Sequence, residues 1–371
     1  MENGSRPKYS VTGHIMFSRQ GTLFALPIDP QSWQATGPPE PVVEGVPTNF
    51  EMSNEGTIVH LRKSVLSNDV FLVDFEGNPT RLTTDTKRYW DVRLAPDQRR
   101  VAFAADEASG GPQRIWVWDL SRPDFEPQPI HFDGVGRYPA WYFDGTRVAF
   151  SQDAPDVDNT IQWVAPNDPN QVVEPLTTIQ GRPDSFSPDG TVLAFWHGSV
   201  RTGGDTDRDI MLLPMQGDRT PIRYIATPAR EGAARFSPDG RWLTYTSNIT
   251  GQFEVYVTPY RGLSVPPEKF QVSQGGGENA VWAHDGKTIY YRHGDKMMEV
   301  AFDDEPEMRI GDPELLFEGE YRGGETRQMY DIGPEGEGFL MLTVPQEHWP
   351  NSINVILNWF EELKQRVPTG R

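Results

Sequence analysis

Glu231, Glu278 and Glu325 stand 47 residues apart along this chain. Equal spacing suggests equivalent places on successive structural repeats. Three carboxylates around one opening would hold a calcium-like cation, or a substrate amine or guanidinium. Each glutamate lies in a segment leading into a turn, and Asp91, Arg137 and Asp184 occupy comparable segments elsewhere. Together these six form the candidate ligand-binding set. A solvated polar rim, neutralised by neighbouring arginines, is the simpler reading, because charged loop residues are ordinarily hydrated.

Asp205-Thr206-Asp207-Arg208-Asp209 carries carboxylates at alternate positions, as calcium loops do. Asp205, Asp207 and Asp209 are therefore the candidate metal ligands, and Ca2+ is the ion they would suit. The segment lacks the glycine and distal glutamate of an EF-hand loop, so it reads first as an acidic surface loop. No other cofactor is expected. His197 and His293 each follow a turn glycine by seven residues. Clustered with carboxylates, such histidines would serve a metal-dependent hydrolase or lyase, but these two fall in nonadjacent repeats. No catalytic residue is assigned. The chain has no Gly-x-Ser-x-Gly elbow, and Asp74-Phe75-Glu76-Gly77 is not the metal-binding Asp-Phe-Gly of a kinase. With no cysteine, thiolate nucleophiles, disulfides and cysteine-ligated zinc are excluded.

The secondary structure that carries these residues is announced by repetition. Phe186-Ser187-Pro188-Asp189-Gly190 recurs as Phe236-Ser237-Pro238-Asp239-Gly240. Looser copies place acidic residues at Asp97, Asp144, Asp285 and Glu335, so the steps are 47, 45, 50, 46 and 50. Ser53-Asn54-Glu55-Gly56 is a degenerate copy. Pro presets φ, Asp bonds its own backbone, and Gly accepts the left-handed conformation, so the motif is turn chemistry. Short aromatic and β-branched runs flank each turn, as in Arg241–Thr246 and Phe253–Val257. Four such strands per period of 45 to 50 residues match one blade of an all-β propeller. Units beginning near residues 8, 46, 87, 136, 181, 231, 277 and 324 favour eight blades, with seven as the alternative, in a single domain spanning residues 1–371. A short C-terminal helix is expected within 356–365.

Composition narrows the partners. The formal net charge of −19 repels phosphate backbones and anionic lipid. A protein, a peptide or a small cationic or neutral ligand is expected, with no nucleic acid and no direct membrane contact. No apolar run approaches the roughly 20 residues of a membrane helix, and the first residues carry no signal-peptide core. The chain is expected to be soluble, cytoplasmic if free-standing and extracytoplasmic if part of a membrane-anchored protein.

The units resemble the WD-like repeats of the TolB propeller superfamily over nearly the whole chain. Gly21–Ala25, Phe236–Leu243, Glu254–Val257 and Val355–Phe360 are also similar to the C-terminal repeat region of acidobacterial-type serine/threonine protein kinases. That resemblance implies a sensor or interaction module of a bacterial signalling protein, not a catalyst, and no kinase motif accompanies it. The competing class is a metal-dependent hydrolase or lyase with its site in the central channel.

Overall fold

The turn motif folds as its chemistry dictates. Ser187 Oγ donates to Asp189 Oδ1 at 2.6 Å, and that oxygen also accepts the Thr191 N–H at 3.0 Å. The Val192 N–H donates to Ser187 Oγ at 3.0 Å, and Gly190 takes φ +69°. The second copy repeats this network through Ser237, Asp239, Arg241 and Trp242. Asp97, Asp144 and Asp285 each accept an N–H from two residues on. These aspartates hold hairpins.

The computed structural model describes residues 5–19, 22–46, 50–61, 69–83, 87–106, 112–122, 126–155, 157–198, 208–264, 268–321, 329–343 and 353–367. They fall into two compact units, one of residues 67–344 and the other of residues 1–66 with 345–371.

The larger unit contains six antiparallel sheets among its described residues. The first blade begins with Arg88–Leu94, the second with Val135–Trp141 and the third with Arg182–Phe186. Glu231–Phe236 opens the fourth, Glu278–Trp282 the fifth and Tyr330–Ile332 the sixth. Each inner strand packs against the next, and Tyr330–Ile332 returns to Arg88–Leu94, so the six sheets close a ring. The sixth blade draws strands from both ends of the unit. Tyr330–Ile332 and Phe339–Thr343 are followed in the sheet by Asp69–Val73 and Pro79–Arg81. Phe339 pairs with Val73 and Thr343 with Asp69. Apolar residues weld this blade to both neighbours: Val70, Leu340 and Leu342 pack with Tyr89 and Phe103, while Tyr330 and Phe339 pack with Val281 and Met297. A twisted sheet cannot cover its own faces, and radial stacking does so while leaving short edges.

The smaller unit holds a sheet of Ser5–Ser10, His14–Arg19, Thr22–Pro27 and Glu40–Glu44. A second sheet orders Ile353–Ile356, Ile58–Leu61 and Phe50–Met52. The expected helix forms at Trp359–Arg366, and Trp359, Leu363 and Val367 enter a core with Met16, Leu23, Phe50 and Ile58.

Eight sheets occur among the described residues, consistent with the eight repeat units. The units expected from 46 and 324 exchange halves. Residues 50–61 of the former pair with 353–356, and residues 69–81 pair with 330–343. The unit from 46 has four strands and that from 324 three described strands, and both sets are divided between the same two sheets.

Candidate functional site

Five of the six inner strands break register shortly before the turn. In four of them the residue six before the turn acid has positive φ: Asp91, Tyr138, Ala233 and Asn279. In the third blade this place is Pro183, whose ring forbids that conformation. The bulge re-aims the residues after it. The position four before the turn acid is occupied around the ring by Arg93, Ala140, Ser185, Arg235, Val281 and Asp331, and all six line one cavity of about 350 Å³.

This cavity is a funnel at the turn end of the inner strands. Its wall is the next ring of residues: Leu94, Trp141, Phe186, Phe236, Trp282 and Ile332. Its rim includes Pro96, Phe143, Pro188, Pro238 and His284. Trp141 Nε1 donates to the Arg93 carbonyl and Trp282 Nε1 to the Arg235 carbonyl, each at 3.2 Å. Both indoles therefore bridge adjacent blades and leave their apolar surface for the wall.

The floor is charged. Asp331 Oδ2 accepts the Leu94 N–H at 3.0 Å, and Oδ1 accepts the Ile332 N–H at 3.1 Å and Arg235 at 3.3 Å. Asp184 Oδ2 accepts the Ala234 N–H at 3.1 Å. Ser185 Oγ donates to the Ala234 carbonyl at 2.9 Å. Arg93, Asp184 and Asp331 are each only 4–5% exposed. Burial pushes the Asp184 carboxyl up to about 7, against the opposing effects of the Ala234 N–H, Arg93, Arg235 and Arg182. Burial likewise pushes the Arg93 guanidinium down to about 9, helped by Arg235 and opposed by Asp331, Asp91 and Asp184.

The residues expected from sequence are scattered around this floor. Asp91 and Asp184 are buried beside Arg93 and act on its charge. Arg137 is occupied by Gln113, whose Oε1 accepts its Nε–H at 2.7 Å. Glu231 is buried, accepts the Thr227 hydroxyl and approaches Ser247 Oγ at 3.4 Å. Burial pushes its carboxyl up to about 7. Glu278 is half-buried and pairs across the strand with Arg292. Glu231 and Glu278 are not equivalent. The turn acids and the bulges of these two blades repeat at 46 residues, so a step of 47 is off by one. In register, Gly232 faces Thr246 as Glu278 faces Arg292, and a one-residue offset turns a side chain to the other face. Glu325, Asp205 and Asp207 lie outside the described residues. Asp209 is buried at the start of Asp209–Pro214 and forms an ion pair with Arg223. Among the described residues no group of three His, Asp or Glu is placed to hold a metal ion. His197 and His293 end strands of the third and fifth blades, and His197 Nδ1 bonds the carbonyl of Gln180, at the end of the second blade's last strand, at 2.7 Å.

Glu231 and Glu278 stand where their inner strands begin, whereas the funnel lies where the inner strands end. Arg93 and Asp331 were missed. Their signal was the column itself: aligned on the turn acid, a position that is small or apolar in three blades is Arg, Arg and Asp in the others.

Ring closure, bulged inner strands and an axial funnel define the larger unit as a β-propeller. No protein-family model matches the chain, and no curated protein matches it. Solved structures are similar to it. A putative TolB from Agrobacterium tumefaciens is 15% identical with a TM-score of 0.59, covering 75% of this chain and 98% of its own. TolB from Acinetobacter baumannii is 14% identical with a TM-score of 0.49, covering 84% and 82%. At such identity the likeness is one of fold. Among the described residues no helix is long and apolar enough to cross a membrane.

Proposed function

We propose that this chain is a non-catalytic binding propeller, which recognises a protein segment, peptide or small ligand in the funnel at the turn end of its ring. The observation that carries this reading is the combination of an apolar wall with a few convergent charged groups in one cavity, the usual composition of a ligand site. The cross-blade bonds of Trp141, Trp282 and Ser185 hold that cavity in a rigid scaffold. Its role would be that of a sensor or interaction module in a bacterial signalling protein, as the resemblance to kinase-linked repeats implies.

The test is a screen of peptides and small molecules by tryptophan fluorescence, since Trp141 and Trp282 face the cavity. His284→Trp would crowd the exposed rim without entering the core. Ligands whose affinity drops tenfold or more in that variant support the funnel. Ligands that bind both proteins equally would move the site elsewhere.

A further inference from the structure

We infer that the ligand of this funnel carries a carboxylate beside an apolar group, and that the Arg93 guanidinium receives the carboxylate. This inference rests on the funnel being the binding site.

The argument is an inventory of donors and acceptors. Both Asp331 oxygens are engaged, by two backbone N–H groups and Arg235. Asp184 holds a backbone N–H. Arg93 presents five N–H donors in a planar fork. Among the described residues its one hydrogen bond is a weak 3.5 Å contact to the Val92 carbonyl, and its buried Nε finds no acceptor. Its side chain is 4% exposed and lines the cavity. Asp331, Asp91 and Asp184 compensate the Arg93 charge without hydrogen-bonding it, so its fork lacks a strong acceptor, and a carboxylate is the group whose two oxygens match that fork.

The surroundings select what the carboxylate is attached to. Above the floor come Leu94, Trp141, Phe186, Phe236, Trp282 and Ile332, with no charge among them. An acid with an adjoining aromatic or aliphatic group would bury that group against the wall while its carboxylate reaches Arg93. The whole chain is acidic, and charge alone predicted a cationic or neutral target. At roughly 8 Å, however, surface charges are screened at physiological salt, so the buried floor decides the contact.

The chemistry is shared by a peptide C-terminus and a free hydrophobic acid. Binding to the full chain would be measured for N-acetyl-L-phenylalanine against its amide, and for octanoate against octanamide. The inference expects each acid to bind at least tenfold more tightly than its amide. Preference for the phenylalanine acid would indicate a chain terminus, and preference for octanoate a free aliphatic acid. Arg93→Met should abolish the acid-to-amide discrimination, and Arg93→Lys should restore part of it. Amides that bind as tightly as acids, yet weaken in His284→Trp, would overturn the carboxylate while leaving the funnel standing. Acids that keep their advantage in Arg93→Met would overturn the role of Arg93. Failure of all four probes to bind would overturn the inference, and the peptide screen would then judge the funnel by itself.

Discussion

Asp184 and Asp189 lie five residues apart on one strand and its turn, yet they belong to different regions with opposite physics. Asp189 is in the turn beyond the rim, exposed, and fed by Ser187 and Thr191, which hold its carboxyl below the usual range. Asp184 is on the floor, where burial pushes its carboxyl up to about 7. The turn aspartate recurs in blade after blade, whereas Asp184 and its charged neighbours do not. In a repeat protein the residue that recurs builds the repeat, and the residue that breaks the column differentiates the centre.

The largest effect that would sharpen this contrast is Asp331→Ala. It removes the Asp331 ion pair of Arg235 and leaves two backbone N–H groups without that acceptor, so we expect a loss of about 3–5 kcal/mol in denaturant unfolding. A loss below about 1 kcal/mol would show that the floor is not a connected network. Gly190→Ala should come next. Its φ is +69°, and a Cβ would sit 2.2 Å from Phe143 Cδ1, so at least about 1 kcal/mol should be lost. Asp189→Ala removes acceptors from a solvated turn and should cost about 1 kcal/mol, roughly the same as Asp239→Ala in the sister turn. Unequal costs in the two turns would break the claim that the turns are interchangeable.

The pH dependence separates the regions by sign. A carboxyl raised to about 7 in the fold is penalised when ionised, so its contribution makes the protein less stable as pH rises from about 4 to 7. Asp184→Asn should remove that part of the profile, making the variant gain on the parent across this window. Asp189, held low, contributes stability above its unfolded value that is lost as pH falls through its folded value. Asp189→Ala should therefore change the profile only below about pH 4. Unfolding free energies of both variants from pH 3 to 8 would check the two signs together. Ligand binding should follow Asp184 as well. Arg93, Arg235 and Arg182 face it, with Asp331 and Asp91 beside Arg93, and its ionisation would repel a bound carboxylate.

The turns were legible in the sequence because they are local: Ser-Pro-Asp-Gly makes its hydrogen bonds within five residues. The strands were legible for the same reason, and unit starts near 87, 136, 181, 231 and 277 fall within a residue of observed strand starts. The floor was less legible. Asp91 and Asp184 were found as acids near the axis, but Glu231 and Glu278 were misaligned by counting from each other and not from the turn. A side chain's face depends on register to one residue, and the bulge resets that register inside every blade it occupies. The exchange of halves between the units at 46 and 324 could not be read locally at all, because it is decided by which edges meet.

That exchange sets a timetable for synthesis. Asp69–Val73 leaves the ribosome about 270 residues before Phe339–Thr343, an interval of roughly 13–55 s at ordinary elongation rates. Throughout it, the strand has one ladder edge with no partner, the state in which a nascent chain recruits a chaperone or a neighbouring chain. Closure of the ring thus waits for Phe339–Thr343, and its weakest moment precedes its completion.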